Sequence, residues 1–133
     1  CIGAKAQNNL KIKKPINSLE RAKDPNLIWR KYVNTQLKTS YKKLFNYLDE
    51  IVYLKANNFK LLQEWRITQE KRLLLKSKSR NNLKIMSKDD VINFMQTYQR
   101  ITQNMFKDAP KYASIIFKLD SKHQVNSAIY KKK

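Results

Sequence analysis

The segment that most constrains the fold and function of this chain is Trp65-Arg66-Ile67-Thr68-Gln69-Glu70-Lys71-Arg72. On a helix, Trp65, Gln69 and Arg72 follow one another along one face, and Arg66 and Glu70 form an adjacent ridge at positions i and i+4. A fully solvated helix has little need of a tryptophan, and a fully buried helix would not carry so many hydrogen-bonding groups. The segment therefore predicts a helix that is half packed and half directed at an anion.

The composition is that of a folded but strongly basic domain. The chain has 133 residues, of which 41% are hydrophobic, and this is enough for one domain with a modest core. A net charge of +19 is typical of proteins that bind nucleic acids or anionic membranes. However, lysine supplies most of the charge, and the lysines are spread along the chain. Because Lys, Asn and Ile share A/T-rich codons, we favour a solvated, codon-biased surface over a dedicated polyanion site.

The glycine content excludes one class of site. The chain contains a single glycine, Gly3, whereas a phosphate-cradling loop needs several. This polypeptide therefore has no Walker-type or dinucleotide-binding loop. The chain also begins at Cys1 rather than at methionine, and both features predict the C-terminal part of a larger protein. A single cysteine suits the cytoplasm and excludes a cysteine-rich metal site, and no run of about 18 apolar residues predicts a membrane helix.

Periodicity and capping signals predict three main helices. Residues 1–23 lack a sustained period and are expected to form a surface connector. Asp24-Pro25 is a typical helix start, and the apolar spacing behind it predicts one long helix over 25–55. Asn57-Asn58 interrupts this pattern, and a second helix is predicted over 59–77. The polar stretch 77–85 is predicted to be a mobile loop. A capping box at Ser87–Asp90 opens a third helix over 88–107.

The C-terminal region predicts strands rather than helix. Residues 113–119 are short, apolar and β-branched, which indicates a buried strand, and 125–130 are expected to return as a second strand through a hairpin at 120–124. One or two strands make a poor sheet on their own. The fold class is therefore predicted to be a helix-rich α/β fragment, divided into a connector (1–23), a helical region (24–109) and terminal strands (110–133).

Several short stretches occur in a distinctive order: Cys1-Ile2-Gly3-Ala4, then 15–20, Trp29-Arg30-Lys31-Tyr32-Val33-Asn34, Trp65–Glu70, Met86-Ser87 and 94–102. In this order they resemble the C-terminal half of the D-glycerate 3-kinase-like P-loop kinases, over nearly the whole chain. The resemblance implies that the strands belong to the parallel sheet of such a kinase, and that the Walker A loop lies in a missing N-terminal half. The chain departs from the family pattern at Gln103 and His123, where arginines are common, and it lacks the glycine that often precedes Met86.

The resemblance implies transfer of the ATP γ-phosphoryl group, with Mg²⁺, to a hydroxyl of a small organic acid such as glycerate. Arginine fits phosphate oxygens well, so Arg66 and Arg72 are the candidates for ATP phosphate or lid contacts. Gln69 and Glu70 are further candidates on the same helix, and Arg30 and Arg100 are candidates for the substrate side. No catalytic residue and no metal ligand is predicted within this chain.

Alternative interpretations remain open at these positions. Arg66 and Glu70 are equally compatible with a surface pair, Trp65 and Trp29 with core anchors, and His123 with a turn residue. At the level of the whole chain, the alternatives are a basic helical nucleic-acid-binding module and a helical protein-interaction domain.

Overall fold

The computed structural model describes residues 1–77 and 85–131, which form six helices and three strands. In chain order they are α1 (Asn9–Lys13), α2 (Ser18–Lys23), α3 (Ile28–Lys38), α4 (Ser40–Phe45), β1 (Val52–Lys55), α5 (Phe59–Ser77), α6 (Lys88–Tyr112), β2 (Ile115–Leu119) and β3 (Val125–Tyr130). This arrangement confirms the predicted helix-rich α/β fold. Residues 78–84 and 132–133, which include most of the predicted mobile loop, lie outside the described residues.

The sheet is mixed and has the strand order β1-β2-β3. β1 and β2 are parallel and are joined by the crossover through α5 and α6, whereas β2 and β3 form an antiparallel hairpin. The hairpin through 120–124 and the strand over 125–130 are therefore confirmed. β1 was not predicted, and the sheet is not purely parallel.

The predicted single helix over 25–55 is wrong. α3 ends at Lys38, and Thr39 has φ −113° and ψ −90°, which interrupts the helix before α4. The Thr39 hydroxyl donates to the Thr35 carbonyl, a local bond that competes with regular helical bonding. Beyond α4, residues 52–55 form a strand instead of helix, because parallel pairing with β2 satisfies their backbone groups.

The helix start at Asp24-Pro25 also needs correction. α3 begins at Ile28, but the Asp24 carboxylate still accepts the backbone N–H groups of Trp29 and Arg30, both at 3.0 Å. Asp24 thus accepts the unpaired backbone N–H groups of the first turn, although it lies further from the helix than the N-cap position does. The capping signal was correct, but its position relative to the helix was not.

The N-terminal segment contains two short helices and is anchored to the fold by a few buried residues, although most of its residues are exposed. Asn8 and Asn17 cap α1 and α2, each by accepting a backbone N–H from the first turn. Ala4 and Ile12 are both only 3% exposed. The prediction of a surface connector over 1–23 missed these two short helices because each contains too few residues for its period to be visible.

α5 and α6 form the core of the described region. Phe59, Val91 and Met95 are buried together, with Leu62 and Tyr98 packed against them. α5 has the bounds predicted for it, and Asn58 accepts the Leu61 N–H at its first turn.

Ser87 and Asp90 form the predicted capping box of α6, in which each side chain accepts the backbone N–H of the other residue. α6 runs to Tyr112, five residues past the predicted end, with Pro110 inside its last turn.

One face of the sheet is apolar and uncovered. The strand register places Val52, Leu54 and Tyr130 on the same face, together with Ile115, Phe117 and Ala128. Val52, Leu54 and Tyr130 are 52%, 59% and 68% exposed.

Trp29, predicted to be a core anchor, is 64% exposed. Among the described residues, no helix is long and apolar enough to cross a membrane.

Candidate anion-binding cleft

A cleft of about 740 Å³ lies along the second half of α5. The facing walls come from α6, through Met95 and Tyr98, and from the β2–β3 turn, through His123. The structure brings together in this cleft all four residues that the sequence proposed for phosphate or lid contacts, namely Arg66, Gln69, Glu70 and Arg72. Helical spacing made this grouping predictable, but the opposite walls were not predictable from sequence.

Arg66 is held in place by its own helix. One guanidinium nitrogen lies 2.5 Å from Glu70 Oε1, and another donates to Gln69 Oε1 at 2.8 Å. Glu70 is only 5% exposed, and its second oxygen accepts the Met86 N–H at 3.1 Å. Glu70 therefore orients Arg66 and also secures the chain just before α6. Because guanidinium carries five donors, Arg66 keeps donors for a ligand.

Arg72 and Lys76 add positive charge to the same cleft. Both line it, both are exposed, and they lie one helical turn apart. Within residues 1–77 and 85–131, no hydrogen bond or ion pair involves either side chain. Since the carboxylate of Glu70 is already paired with Arg66, the local field of the cleft is positive.

The other end of the cleft is aromatic. The Trp65 indole donates from Nε1 to the Ser121 carbonyl at 3.0 Å, and its ring centroid lies 3.9 Å from that of His123. Burial raises the pKa of the Tyr98 hydroxyl, and the Arg66 charge offsets part of this effect. Tyr98 therefore stays protonated at neutral pH and can donate a hydrogen bond. The position of His123 at this site could not be predicted from sequence, because Trp65 and the turn residue Ser121 are 56 positions apart. Tyr98 was likewise not predicted here, because it belongs to a different helix.

The two arginines proposed for the substrate side lie elsewhere, in a network that ties the N-terminal segment to α3 and α6. Arg30 is 6% exposed and donates to the carboxylate and carbonyl of Asp24 and to the carbonyls of Ile12 and Lys13. Arg100 donates to both carboxylate oxygens of Glu20 and to two further backbone carbonyls. Four of the five donors of each guanidinium are thus occupied.

This network lies beside a second cavity of about 330 Å³, bounded by the N-terminal segment, α3 and α6. Arg30 and Arg100 line it, but their donors are directed at Asp24, Glu20 and backbone carbonyls. The geometry therefore gives both arginines a structural role. Their predicted contact with a substrate has no support in these bonds.

The carboxylates of the network are stabilised in the ionised form. Burial opposes ionisation of Glu20, but hydrogen bonds from Arg100 and the Ile16 N–H, with the charges of Arg100 and Arg30, lower its pKa overall. For Asp24, burial is likewise outweighed by hydrogen bonds from the side chain and backbone of Arg30 and from the Trp29 N–H, so its pKa is also lowered. Protonation of Asp24 would leave the buried guanidinium of Arg30 without its nearest counter-charge, and protonation of Glu20 would remove that of Arg100.

Stability should therefore fall in acid. Because the folded pKa values of Glu20 and Asp24 lie below their ordinary values of 4.5 and 3.8, their contribution is complete above those values and is lost as pH falls through the folded ones. We expect the free energy of unfolding from urea titrations to be level from pH 7 to about 5 and to drop below about 4.5. Glu20→Gln should flatten part of this drop, and an unchanged acid profile in that variant would contradict the assignment.

The described residues do not fit a metal ion. No group of three His, Cys, Asp or Glu side chains within residues 1–77 and 85–131 could hold one. Glu70, the carboxylate nearest the cationic side chains of the cleft, is committed to Arg66 and Met86. The described residues therefore offer no ligand set for the Mg²⁺ that the family resemblance implies.

Comparison with known proteins finds similarity among solved structures. No protein-family model and no curated protein matches the chain. Among solved structures, it is similar to D-glycerate 3-kinase from Cryptococcus neoformans var. grubii serotype A, with a TM-score of 0.70 and 18% identity. The chain has a kinase-like fold. The match covers 97% of this chain and 47% of that kinase, so the chain spans about half of the kinase's length.

Proposed function

We propose that this chain is the C-terminal part of an ATP-dependent, cytoplasmic small-molecule kinase that phosphorylates a hydroxyl of a small organic acid such as glycerate. The observation that carries the proposal is the cleft on α5, which both Arg66 and Arg72 line, within a fold that resembles half of a D-glycerate 3-kinase. The order of sequence motifs supports the same family independently of the fold.

The role proposed for the cleft is to receive phosphoryl oxygens. Phosphoryl transfer needs positioning and charge neutralisation more than it needs covalent chemistry from the protein. Arg66 is oriented for this by Glu70, and Arg72 has no competing partner among the described residues. Tyr98 can add a neutral hydrogen bond from α6. These groups would bind and orient the anion. The hydroxyl that accepts the phosphoryl group belongs to the substrate, and we assign no residue of this chain as its base.

The remaining parts of the site would come from a complementary α/β half that carries the Walker loop. Parallel strands are normally covered on both faces, yet one face of this sheet is apolar and uncovered. Within the described residues, β1 pairs with β2 alone, so its other edge is available to a further strand. A half of this kind would cover the face, extend the sheet and bring ATP to the arginines.

We expect no turnover from the 133-residue chain alone, because its single glycine excludes a phosphate-cradling loop. The purified chain should be incubated with ATP, Mg²⁺ and glycerate, and ADP formation followed in a coupled assay. The rate should equal that of the buffer control. Robust turnover would contradict the division of the site between two halves, and failure to bind any polyphosphate would contradict the proposed role of the cleft.

A further inference from the structure

The β2–β3 turn holds His123 in an unusual backbone conformation. His123 has φ +65°, in the left-handed region that non-glycine residues seldom occupy. Asp120 maintains this conformation from both sides. Its carboxylate accepts the N–H groups of Lys122 and Gln124 at 2.8 and 2.9 Å, its carbonyl accepts that of His123, and its own N–H donates to Gln124. The turn is thus over-determined by its hydrogen bonds, which is the condition under which such a conformation persists.

The consequence of this turn is that an imidazole lines the anion-binding cleft. The His123 ring packs against Trp65, with the centroids 3.9 Å apart, and Trp65 is itself anchored to the turn through the Ser121 carbonyl. The ring is therefore fixed without any hydrogen bond to its nitrogens from the described residues. His123 lines the same cleft as Arg66 and Arg72. An imidazole whose nitrogens have no partner among the described residues, in a cleft that two arginines also line, is suited to donate a hydrogen bond to a phosphate oxygen.

We propose that His123 is a ligand-contacting residue, which donates a hydrogen bond to the phosphoryl group bound by Arg66 and Arg72. This inference rests on the proposed function, since it takes the ligand of the cleft to be a phosphate ester or polyphosphate. A contact between His123 and the ligand would give the left-handed conformation of this turn a function in binding. The turn then forms the wall of the site opposite α5, and Trp65 is the residue that positions it.

The test uses the fact that His123 is the only histidine in the chain. Its imidazole signals in NMR spectra are therefore assigned without ambiguity. Inorganic tripolyphosphate should be titrated into the full chain at constant pH. We expect the His123 signals to shift and to saturate at the same concentration as binding measured by calorimetry.

Two variants separate ligand contact from folding. His123→Gly removes the ring while glycine accepts the left-handed conformation, so its melting temperature should stay close to that of the unsubstituted chain. Its affinity for tripolyphosphate should be about fivefold weaker, the size expected for loss of one hydrogen bond. The control, Lys122→Ala, removes a charge from the same turn but not from the wall of the cleft, and should change affinity less than about twofold.

The outcomes distinguish this inference from the proposed function. If the unsubstituted chain binds tripolyphosphate but the His123 signals do not move and His123→Gly binds equally well, the inference is wrong and the arginine site stands. If the unsubstituted chain does not bind tripolyphosphate, both are wrong. If His123→Gly and Lys122→Ala weaken binding equally, the loss of affinity is explained by a general effect of the turn and not by a specific contact of His123, and the inference is wrong.

Discussion

Arg30→Ala should destabilise the chain by about 3–5 kcal/mol, the usual cost of breaking a buried ion pair by removing one partner. Arg30 is 6% exposed, and its loss would leave the Asp24 carboxylate without its counter-charge and the carbonyls of Ile12 and Lys13 without their side-chain donor. Because the free energy of unfolding of a small domain is only about 5–15 kcal/mol, a loss of this size should move the unfolding transition to a much lower urea concentration. Urea titration followed by circular dichroism measures the change.

The matched control for this experiment is Arg21→Ala. Arg21 is an exposed arginine in the same part of the chain, so the same substitution should change stability by less than about 0.5 kcal/mol. Arg30→Lys should recover only part of the loss, since lysine cannot reproduce the planar guanidinium contacts. If Arg30→Ala unfolds at the same urea concentration as Arg21→Ala, the network is not structural. The predicted role of Arg30 on the substrate side would then regain support.

The double variant Arg66→Ala with Arg72→Ala should weaken tripolyphosphate binding by about 100-fold or more. Each charge-assisted hydrogen bond contributes roughly 1.5–3 kcal/mol, which is about 10- to 100-fold in affinity for each arginine. Arg72→Ala alone is the cleaner measurement, because its side chain makes no hydrogen bond or ion pair within the described residues. It should lose about tenfold in affinity with an unchanged melting temperature. Calorimetry at low salt measures the affinity of each variant.

A second double variant tests whether net charge alone explains the binding. Lys31→Ala with Lys38→Ala removes the same two charges from exposed positions on α3 and should reduce affinity by less than about threefold. Equal losses in the two double variants would show that tripolyphosphate senses only the net charge of +19. That result would favour the alternative of a general polyanion-binding module over a phosphoryl-binding cleft.

The sequence correctly predicted those helices and caps that are determined by residues close together along the chain. α5 and the capping box of Ser87 and Asp90 were correct because their bonds span only a few positions. β1 was missed because Ile51 and Val52 continue an apolar spacing that also suits a helix, and only the pairing of Val52 with Ile115 decides between the two. The break at Thr39 was missed for the related reason that an apolar period does not reveal a local change in backbone angles.

The candidate site divides in the same way. Arg66, Gln69, Glu70 and Arg72 could be grouped from sequence because helical spacing alone places them together. The ion pair that gives Arg100 its structural role could not be predicted, because its carboxylate partner, Glu20, is 80 positions away along the chain.

The sequence by itself determined a basic, helix-rich α/β chain without a phosphate-cradling loop, and a helix that presents two arginines. These follow from composition and from interactions between near neighbours. Only the tertiary structure decided which arginines remain available to a ligand. Packing of the N-terminal segment occupies Arg30 and Arg100, whereas the turn at His123 completes a wall opposite Arg66 and Arg72. The physical reason is that hydrogen-bond donors are committed by contacts between distant segments, and such contacts exist only in the folded chain.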